Sequence, residues 1–267
     1  MTPVTLITGA SSGIGTELAR VFASQGHELV LVARRQRELA DLAEELASKG
    51  AKRPIVLAVD LAQRDAIARI VAELKSRNRE PAFLINDAGF GLAGPSTVLD
   101  LGDQLAMIDV NVRALTELTL TFAASVIRHR GGILNVASIV SFMPGPGMAV
   151  YYASKAFVLS FSEALHAELS HRGVRVTALC PGPVATGFQS RAGIRAGTAG
   201  ETTVLAISPR RVADIGYDAL MRGKRVVVAG AGNRIVVFFM RHLPHALLMA
   251  IMRARLRHIS KVDAQTL

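Results

Sequence analysis

Residues 8–15 of the chain read TGASSGIG and follow directly after a strand-like apolar run at residues 4–7. A glycine-rich turn that enters a helix lets the backbone approach a diphosphate, while the helix N-terminus offers N–H groups and a positive dipole. Three glycines alone would also suit any tight strand-to-helix turn. Because this turn separates the first predicted strand from the first predicted helix, we interpret it as a dinucleotide-binding loop. Its predicted binding residues are Gly9, Ser11, Ser12, Gly13, Ile14 and Gly15.

The rest of the sequence alternates strand-like and helix-like segments. The strand-like segments are near-continuous runs of Val, Ile and Leu, a pattern typical of parallel strands that helices cover on both faces. They lie at residues 4–7, 28–33, 55–59, 83–86, 133–137, 174–179 and 225–228. The alternation predicts a single-domain α/β fold, a doubly wound parallel sheet of about seven strands flanked by helices, which is the Rossmann architecture.

Glycines mark the ends of several predicted helices. The helix-like segments at residues 14–25, 37–49 and 154–172 are each followed at once by a glycine. A glycine in this position adopts the left-handed conformation that ends many helices. Further helices are expected at residues 105–128 and 210–221.

Two regions depart from this alternation. Residues 183–208 form a long Gly-, Ala- and Thr-rich connection, which we interpret as a substrate lid because connections of this length are usually functional. The tail at residues 231–267 is basic and apolar, but its apolar runs are too short to span a bilayer. We therefore expect an NADP-binding domain at residues 1–230 that includes the catalytic residues. The tail either packs on the protein or contacts a membrane surface peripherally.

Length and composition exclude several classes of protein. With 267 residues, 50% of them hydrophobic, the chain can bury one large core. A net charge of +10 would suit a nucleic-acid-binding protein, but aromatics make up 5% and zinc-finger spacing is absent, so we expect no nucleic acid partner. Cys180, the single cysteine, excludes an internal disulfide. Because a strand follows Met1 almost directly, we expect no signal peptide and a cytoplasmic protein, at most membrane-peripheral.

The end of the second predicted strand indicates which dinucleotide is bound. NAD-dependent enzymes usually carry an Asp or Glu there for the adenosine ribose, whereas this strand ends in Arg34 and Arg35. Cations are unfavourable at a helix N-terminus, so two arginines there predict an anionic partner, and guanidinium groups suit a 2′-phosphate. We therefore expect NADP(H) as the cofactor. After the third strand, Asp60 precedes Leu61, and its carboxylate can accept from the adenine amino group or cap a helix.

Three polar side chains carry the predicted chemistry. Tyr151 and Lys155 lie four residues apart at the start of a helix and share one face. A nearby ammonium, with the positive charge of oxidised nicotinamide, stabilises phenolate and moves the tyrosine pKa from about 10 toward neutral pH. Ser138 follows the fifth strand at the carboxyl edge, where it can donate to a carbonyl oxygen. Ser141 is a competing candidate for that role.

These motifs, in this order and spacing, resemble those of the short-chain dehydrogenase/reductase family over about residues 4–230. The family's TGxxxGxG motif falls on residues 8–15, and its NNAG motif appears as NDAG at residues 86–89. Its asparagine, serine, YxxxK and Pro-Gly motifs follow in order. The further matching positions are Asn86, Ala88, Gly89, Asn111, Ser138, Tyr151, Lys155, Pro181, Gly182, Val184 and Thr186.

The resemblance implies a role for each of these residues. Tyr151 would be the general acid/base and Ser138 would orient the carbonyl, while Lys155 would lower the tyrosine pKa and bind the nicotinamide ribose. Asn111 would hold a water that links Lys155 to solvent, which completes a proton relay. Val184 and Thr186 would grip the nicotinamide carboxamide. The cofactor site would be completed by Asn86, Ala88, Gly89, Pro181 and Gly182.

One position departs from the family pattern. Asp87 replaces the second asparagine of NNAG. If that carboxylate is partly buried, it must find donors or its pKa must rise. From the sequence, the hydrogen-bond partners of Asp87 stay undetermined. The assignment of the cofactor is not affected. The histidines match no motif, ligand spacing is absent, and the mechanism needs no metal.

The leading prediction is an NADP(H)-dependent oxidoreductase that transfers a hydride between nicotinamide and a ketone, aldehyde or secondary alcohol. Apolar segments at residues 90–93, 139–143 and 204–205 predict an apolar or lipid-like small-molecule substrate. The alternative is a non-catalytic NADP(H)-binding sensor or assembly module, which would be expected to lack part of the catalytic set. The resemblance also implies a homodimer or homotetramer, formed through the helices at residues 105–128 and 154–172.

Overall fold

A computed structural model describes residues 1–193, 206–244 and 246–252 of the chain. Within them, seven parallel strands form one sheet in the order β3-β2-β1-β4-β5-β6-β7. The strands are β1 (Thr2–Thr8), β2 (Leu29–Ala33), β3 (Ile55–Ala58), β4 (Arg79–Asn86), β5 (Gly132–Val136), β6 (Arg175–Cys180) and β7 (Val226–Val228). This arrangement confirms the doubly wound parallel sheet predicted from the sequence.

Helices cover both faces of the sheet. One apolar core lies between the sheet and α1, α2 and α8, and the other lies between the sheet and α3, α5 and α6. Because both faces are buried, the strands are apolar along their whole length rather than at alternate residues. The helices are α1 (Gly13–Ser24), α2 (Gln36–Ser48), α3 (Ala66–Ser76), α4 (Leu101–Ile108), α5 (Leu115–Arg128), α6 (Ala149–Leu169), α7 (Phe188–Arg191), α8 (Pro209–Met221) and α9 (Ala231–His242).

The predicted helix ends are confirmed, but two helix starts are not, since the helix expected from residue 105 begins at Leu101. Gly26, Gly50 and Gly173 have φ of +80°, +87° and +77°, the left-handed conformation expected of a glycine after a helix. The helix predicted from residue 154 begins at Ala149 instead. Val150, Tyr151 and Tyr152 favour strands locally, and tertiary packing overrides that preference.

The strand order reverses beside β1. This strand pairs with β2 on one side and with β4 on the other. The connections that leave β1 and β4 therefore pass to opposite faces of the sheet, which leaves a crevice at the carboxyl edge between them. Ligands of doubly wound folds bind in such a crevice, so the fold itself locates the candidate site.

One long helix lies beside this crevice. α4, a π-helical segment (Asp109–Ala114) and α5 run continuously over Leu101–Arg128. This helix has the length and apolar composition to cross a membrane. Leu115, Leu118 and Phe122, however, bury one of its faces in the protein, so we interpret it as a core helix of this fold.

The lid and the tail are described in part. Residues 194–205, including the predicted pocket residues Val204 and Leu205, lie outside the described residues. The described start of the predicted lid contains α7. In the tail, α9 packs against β7 and a short 3-10 helix (Ile139–Phe142) through its buried Val237. The division at residue 230 stays a prediction, since α9 is in direct contact with the preceding domain.

Candidate active site

The glycine-rich loop forms a cradle that side chains would fill. Gly9 and Gly13 have φ of +70° and +61°, which favours glycine at both positions. A Cβ placed on Gly15 would lie 2.5 Å from the Gly9 carbonyl oxygen, and one on Gly13 would lie 3.1 Å from the Thr186 methyl group. Ser12 precedes α1 as its N-cap. The first N–H groups of α1 therefore lie where a diphosphate can approach the backbone.

Arg35 lies beside this cradle. Its Nη2 donates to the backbone oxygen of Ser11 at 3.1 Å and to the Ser11 hydroxyl at 3.0 Å. Nη1 lies 3.4 Å from the Glu38 carboxylate. Arg34 is exposed, and α2 begins at the next residue after Arg35. Two guanidinium groups at the rim of a diphosphate cradle fit a phosphorylated dinucleotide.

Asp60 closes a turn rather than starting a helix. Its Oδ1 accepts from the Ala62 N–H at 3.1 Å, whereas α3 begins at Ala66. The helix-cap alternative is therefore wrong, because the carboxylate stabilises the loop after β3 several residues before the helix starts. Contact with adenine stays a prediction. Leu61 is buried in the core, which fixes this loop against the sheet.

Arg113 also holds this loop, and sequence reasoning missed it. Its Nη2 donates to the carbonyl oxygens of Leu61 at 3.4 Å and of Ala62 at 2.9 Å. The same guanidinium pairs with Asp109 at 2.6 Å and Glu117 at 3.2 Å. The i,i+4 spacing of these acids indicates a helix-surface ion pair. This spacing does not predict the contact between Arg113 and the loop after β3, because that loop is distant in sequence.

Asn86 belongs to a buried hydrogen-bond network. Its Nδ2 donates to Thr119 Oγ1 at 3.1 Å and to Asn135 Oδ1 at 2.8 Å. Asn135 Nδ2 in turn donates to Ser162 Oγ at 2.9 Å. The network joins β4 and β5 to α5 and α6. We assign Asn86 to holding the end of β4 in place, and its direct contact with a cofactor stays a prediction.

The turn after β4 packs against the glycine-rich loop. Thr8 Oγ1 accepts from the N–H groups of Asp87 and Ala88, both at 3.1 Å. Asp87 is partly buried, and its Oδ2 would lie 2.9 Å from a Cβ on Gly9 and 2.6 Å from one on Gly15. The carboxylate that departs from the family pattern therefore lies directly against the loop. A bulkier residue at either glycine would displace it.

Asn111 lies in the π-helical segment, where its side chain holds the neighbouring loop. Its Oδ1 accepts from the Phe90 N–H at 3.1 Å, and its Nδ2 donates to the Phe90 carbonyl at 2.9 Å and to Ser154 Oγ at 3.0 Å. A Cβ on Gly89 would lie 2.9 Å from Asn111 Oδ1. π-Helical turns often occur at functional sites. The side chain is thus occupied by protein groups, and the predicted water relay stays a prediction.

Lys155 projects into the same buried region. Its Nζ donates to the Val136 carbonyl at 2.8 Å and would lie 3.3 Å from a Cβ on Gly89. Burial lowers the pKa of Lys155 to about 8, while the carboxylate of Asp87 acts in the opposite direction and raises it. An amine with this pKa is mostly charged at neutral pH and loses its charge in mildly alkaline solution.

Ser138 and Ser141 divide two roles between them. Ser141 Oγ donates to the Lys155 carbonyl at 2.8 Å and accepts from the Ser138 N–H at 3.3 Å, so its hydroxyl supports the local backbone. Ser138 caps the 3-10 helix, its Oγ donates to the Pro181 carbonyl at 3.5 Å, and its hydroxyl lies close enough to Tyr151 to lower the pKa of the phenol. Of the two candidates, Ser138 is therefore the one that meets the phenol.

Tyr151 is buried beneath the described start of the lid. Its ring centroid lies 5.4 Å from that of Phe188, and a Cβ on Gly91 would lie 3.1 Å from the tyrosine ring. Burial raises the pKa of Tyr151, and the nearby Ser138 hydroxyl acts in the opposite direction. The sequence predicts a lowered pKa. In the structure, desolvation of the phenolate outweighs the effect of the Ser138 hydroxyl, and Tyr152 raises the pKa further.

Comparison with known proteins identifies the family of this chain. The model of the short chain dehydrogenase family matches residues 3–195. The chain belongs to this family. As a short-chain dehydrogenase, it is an oxidoreductase of alcohol and carbonyl substrates that uses a nicotinamide cofactor.

Individual relatives differ in the cofactor and substrate that they are named for. Sulfoacetaldehyde reductase 2 of Chromohalobacter salexigens is 39% identical over 70% of this chain and 75% of its own length. A short-chain dehydrogenase from Sphingobium yanoikuyae in complex with NADPH is 32% identical, with a TM-score of 0.78 over 97% of this chain and 96% of that one. A short-chain dehydrogenase/reductase from Burkholderia phymatum in complex with NAD is 25% identical, with a TM-score of 0.77 over 89% and 92%.

In this short-chain dehydrogenase, the segment after β6 connects the catalytic and cofactor-binding sides. The Ile139 N–H donates to the Pro181 carbonyl at 3.0 Å. Val184 pairs with Ile207 across the base of the predicted lid. Thr186, which packs over Gly13, accepts from the Phe188 N–H at 3.3 Å. The segment after β6 therefore contacts the glycine-rich loop and leads directly to Phe188, which covers Tyr151.

An apolar groove of about 470 Å³ lies along α6, and its lining includes Tyr152 but not Tyr151 or Lys155. Tyr152, next to the catalytic tyrosine of the family motif, lines it together with Ala149 and Ala153. Its opposite wall comes from the segment after the 3-10 helix, with Met143, Pro144, Gly145 and Pro146. Residues 139–143 were expected from the sequence to form a pocket wall, and two of them, Ser141 and Met143, line this groove.

The single cysteine and the acidic and histidine side chains offer no further chemistry among the described residues. Burial raises the pKa of the Cys180 thiol to about 12, so it is a buried apolar side chain rather than a nucleophile. Among the described residues, no group of three or more His, Cys, Asp and Glu side chains could hold a metal ion.

Proposed function

We propose that this short-chain dehydrogenase is an NADP(H)-dependent reductase of ketones or aldehydes, with Tyr151 as its general acid/base. One observation carries the proposal. The buried phenol of Tyr151 lies beside the Ser138 hydroxyl, at the sheet edge that also holds Lys155 and the glycine-rich cradle. These are the groups that protonation of a carbonyl oxygen requires.

The chain's own residues bind and orient the reactants. When bound, NADPH supplies the hydride that reduces the carbonyl carbon. The loop at residues 8–15 and the α1 N-terminus hold the diphosphate, while Arg34 and Arg35 hold the 2′-phosphate. Lys155 holds the nicotinamide ribose hydroxyls. Val184 and Thr186, on the segment after β6 that packs over Gly13, would fix the carboxamide.

The proton comes from the phenol. Ser138 Oγ donates a hydrogen bond to the substrate oxygen, which holds it against Tyr151 and stabilises its developing negative charge. Tyr151 then transfers its proton to that oxygen. The ammonium of Lys155 stabilises the phenolate that is left, offsetting the burial that disfavours it. The exclusion of water by Phe188 and Gly91 strengthens both interactions.

NADP(H) is favoured over NAD(H) by the residues around the adenosine end. β2 ends without an acid, and Arg35 is already anchored to Ser11 at the cradle's rim. The relative from Sphingobium yanoikuyae, solved with NADPH, supports this preference. The relative from Burkholderia phymatum was solved with NAD, so the family alone does not decide it.

An apolar substrate is favoured by the cover of the site. Phe188 and Gly91 lie against the tyrosine ring, and the adjoining groove is walled by Met143, Pro144 and Pro146. Such walls favour a carbonyl with an apolar or lipid-like body over a short charged one. The named substrate of the Chromohalobacter salexigens relative, sulfoacetaldehyde, belongs to the second type.

Oxidation of NADPH in the presence of a carbonyl panel tests the proposal. The panel contains fatty acyl, steroid, retinoid and small aromatic carbonyls, together with sulfoacetaldehyde. We expect turnover with apolar members. Turnover with sulfoacetaldehyde alone would contradict the substrate class, and no turnover with any member, while NADPH still binds, would favour the sensor or assembly module.

Replacement of Tyr151→Phe tests the acid/base role. Removal of the hydroxyl should lower kcat by about 10²- to 10⁴-fold, because the substrate oxygen loses its proton donor, while NADPH binding is unchanged. Tyr217→Phe, on α8 and packed against Phe22 away from the site, serves as the matched control and should retain turnover. Equal activity of the two variants would show that the phenol of residue 151 does not transfer the proton.

We also propose that the chain forms a homodimer or homotetramer through two helices. The helix Leu101–Arg128 exposes Leu105 and Leu120, and α6 exposes Phe157, which stacks on Phe161. Apolar side chains on neighbouring helices form a contiguous surface that a second copy could cover.

A further inference from the structure

The outward side of α9 is apolar where a solvated helix would be polar. α9 packs on the protein through Val237, whereas its outward side chains Ile235, Phe238 and Phe239 are 59%, 58% and 58% exposed. The chain continues past α9 with further exposed apolar residues. We call Ile235, Phe238, Phe239, Leu247 and Ile251 the apolar face.

Cationic side chains flank the apolar face, and no acidic residue lies near them in sequence. The cations Arg234 and Arg241 line an open pocket of about 380 Å³, together with Phe238 and His242. Between residues 231 and 252 the sequence has no Asp or Glu, and the whole chain carries a net charge of +10. A pocket of this size and charge suits a phosphate group.

The apolar face borders the catalytic edge of the sheet. α9 follows β7 directly, and a Cβ on Gly182 would collide with Asn233 in the first turns of α9. The guanidinium of Arg241 lies 5.6 Å from the centroid of the Phe142 ring. Phe142 ends the 3-10 helix that Ser138 caps. A partner bound to α9 therefore lies next to the candidate active site.

We propose that the apolar face and its basic flank dock on a bilayer that contains anionic lipids. An amphipathic helix of this type buries its apolar side chains in the headgroup boundary while its cations pair with lipid phosphates. A second copy of the chain suits this surface less well, because a self-complementary contact would bring the same cations together. The docking is independent of the reaction proposed above, since none of these side chains belongs to the catalytic set.

Cosedimentation of the full chain with vesicles tests the proposal. The probes are phosphatidylcholine vesicles with and without phosphatidylglycerol. We expect binding to the anionic vesicles that weakens as salt is added, since the cations are exposed and screened. Phe238→Ser with Phe239→Ser should lower the bound-to-unbound ratio by about tenfold or more, whereas Phe238→Leu with Phe239→Leu should retain binding.

The charge contribution has its own pair of variants. Arg234→Gln with Arg241→Gln should weaken binding to anionic vesicles. Arg222→Gln with Lys224→Gln removes the same charge near the start of β7, at the opposite edge of the sheet, and should weaken it much less. Absence of vesicle binding, or equal loss in both pairs, would overturn the proposal. So would a smaller oligomer with unchanged vesicle binding after the Phe-to-Ser changes, because the apolar face would then be a protein interface.

Discussion

At the scale of single residues, Asp87 is the position where this chain differs from the motif it otherwise matches. Its carboxylate packs against the glycine-rich loop and raises the pKa of Lys155, which burial lowers to about 8. A neutral asparagine would fill the same space without that charge. Asp87 therefore keeps Lys155 protonated over a wider pH range.

This effect predicts a shifted pH profile in Asp87→Asn. In the parent enzyme, kcat/KM for NADPH should fall as the pH rises past about 8, where Lys155 loses its proton. Without the carboxylate the pKa of Lys155 is lower, so the fall should begin at lower pH. Asp41→Asn, an exposed position on α2, is the control and should leave the profile in place. A profile for Asp87→Asn that coincides with the control would contradict the coupling.

At the same scale, Arg35 is the residue that we expect to favour NADPH over NADH. A charge-assisted hydrogen bond is worth about 1.5–3 kcal/mol, so Arg35→Gln should raise the Kd for NADPH about 10- to 100-fold. The Kd for NADH should change little, because NADH lacks the 2′-phosphate. The fluorescence of the bound nicotinamide reports both, and the chain has no Trp to interfere. Arg37→Gln, exposed on the same helix, is the control; equal losses for both cofactors would count against a 2′-phosphate site.

At the scale of elements, the π-helical segment joins two parts of the site. Asn111 binds the backbone of Phe90 on one side, and Arg113 binds the loop after β3 on the other. A regular α-helix would present these side chains about a residue out of place, since a π-turn inserts an extra residue. The segment therefore connects the loop after β4 with the loop after β3.

Arg113→Met is expected to affect cofactor binding more than turnover. The loop at residues 60–63 would lose its anchor, so the Kd for NADPH should rise several-fold with kcat nearly unchanged. The lost charged hydrogen bonds should also cost about 1.5–3 kcal/mol of unfolding free energy, measured by denaturant titration. Arg77→Met removes an exposed i,i+4 pair with Glu73 on α3 and should change neither quantity by much. A loss of kcat with an unaltered Kd would contradict the role given to Arg113.

At the scale of the whole molecule, the proposed oligomer depends on apolar surface outside the site. Leu120 is 59% exposed on α5, in the middle of the helix proposed as an interface. Leu120→Glu should dissociate the assembly, because it places a charge in a desolvated contact. Light scattering coupled to size exclusion measures the mass. Ala40→Glu, exposed on α2, is the control, and a Leu120→Glu protein with the control's mass would rule out this interface.

The sequence by itself determined the fold and the identity of the main site residues. Continuous apolar strands, glycines after helices and the loop at residues 8–15 are local signals, because each depends on backbone conformation or on burial of neighbouring residues. The order of the motifs along the chain then placed Ser138, Tyr151 and Lys155 at one sheet edge. The resemblance to a family added their roles.

The tertiary structure alone decided which side chains meet. It distinguished Ser138 from Ser141, and it showed that Arg113 holds the loop after β3. It also placed Asp87 against the glycine-rich loop. Each of these contacts depends on side chains that are distant in sequence or differ in orientation. The raised pKa of Tyr151 is likewise decided by the tertiary structure. It results from burial by Phe188 and Gly91, and desolvation is a property of the packed molecule that periodicity and spacing do not encode.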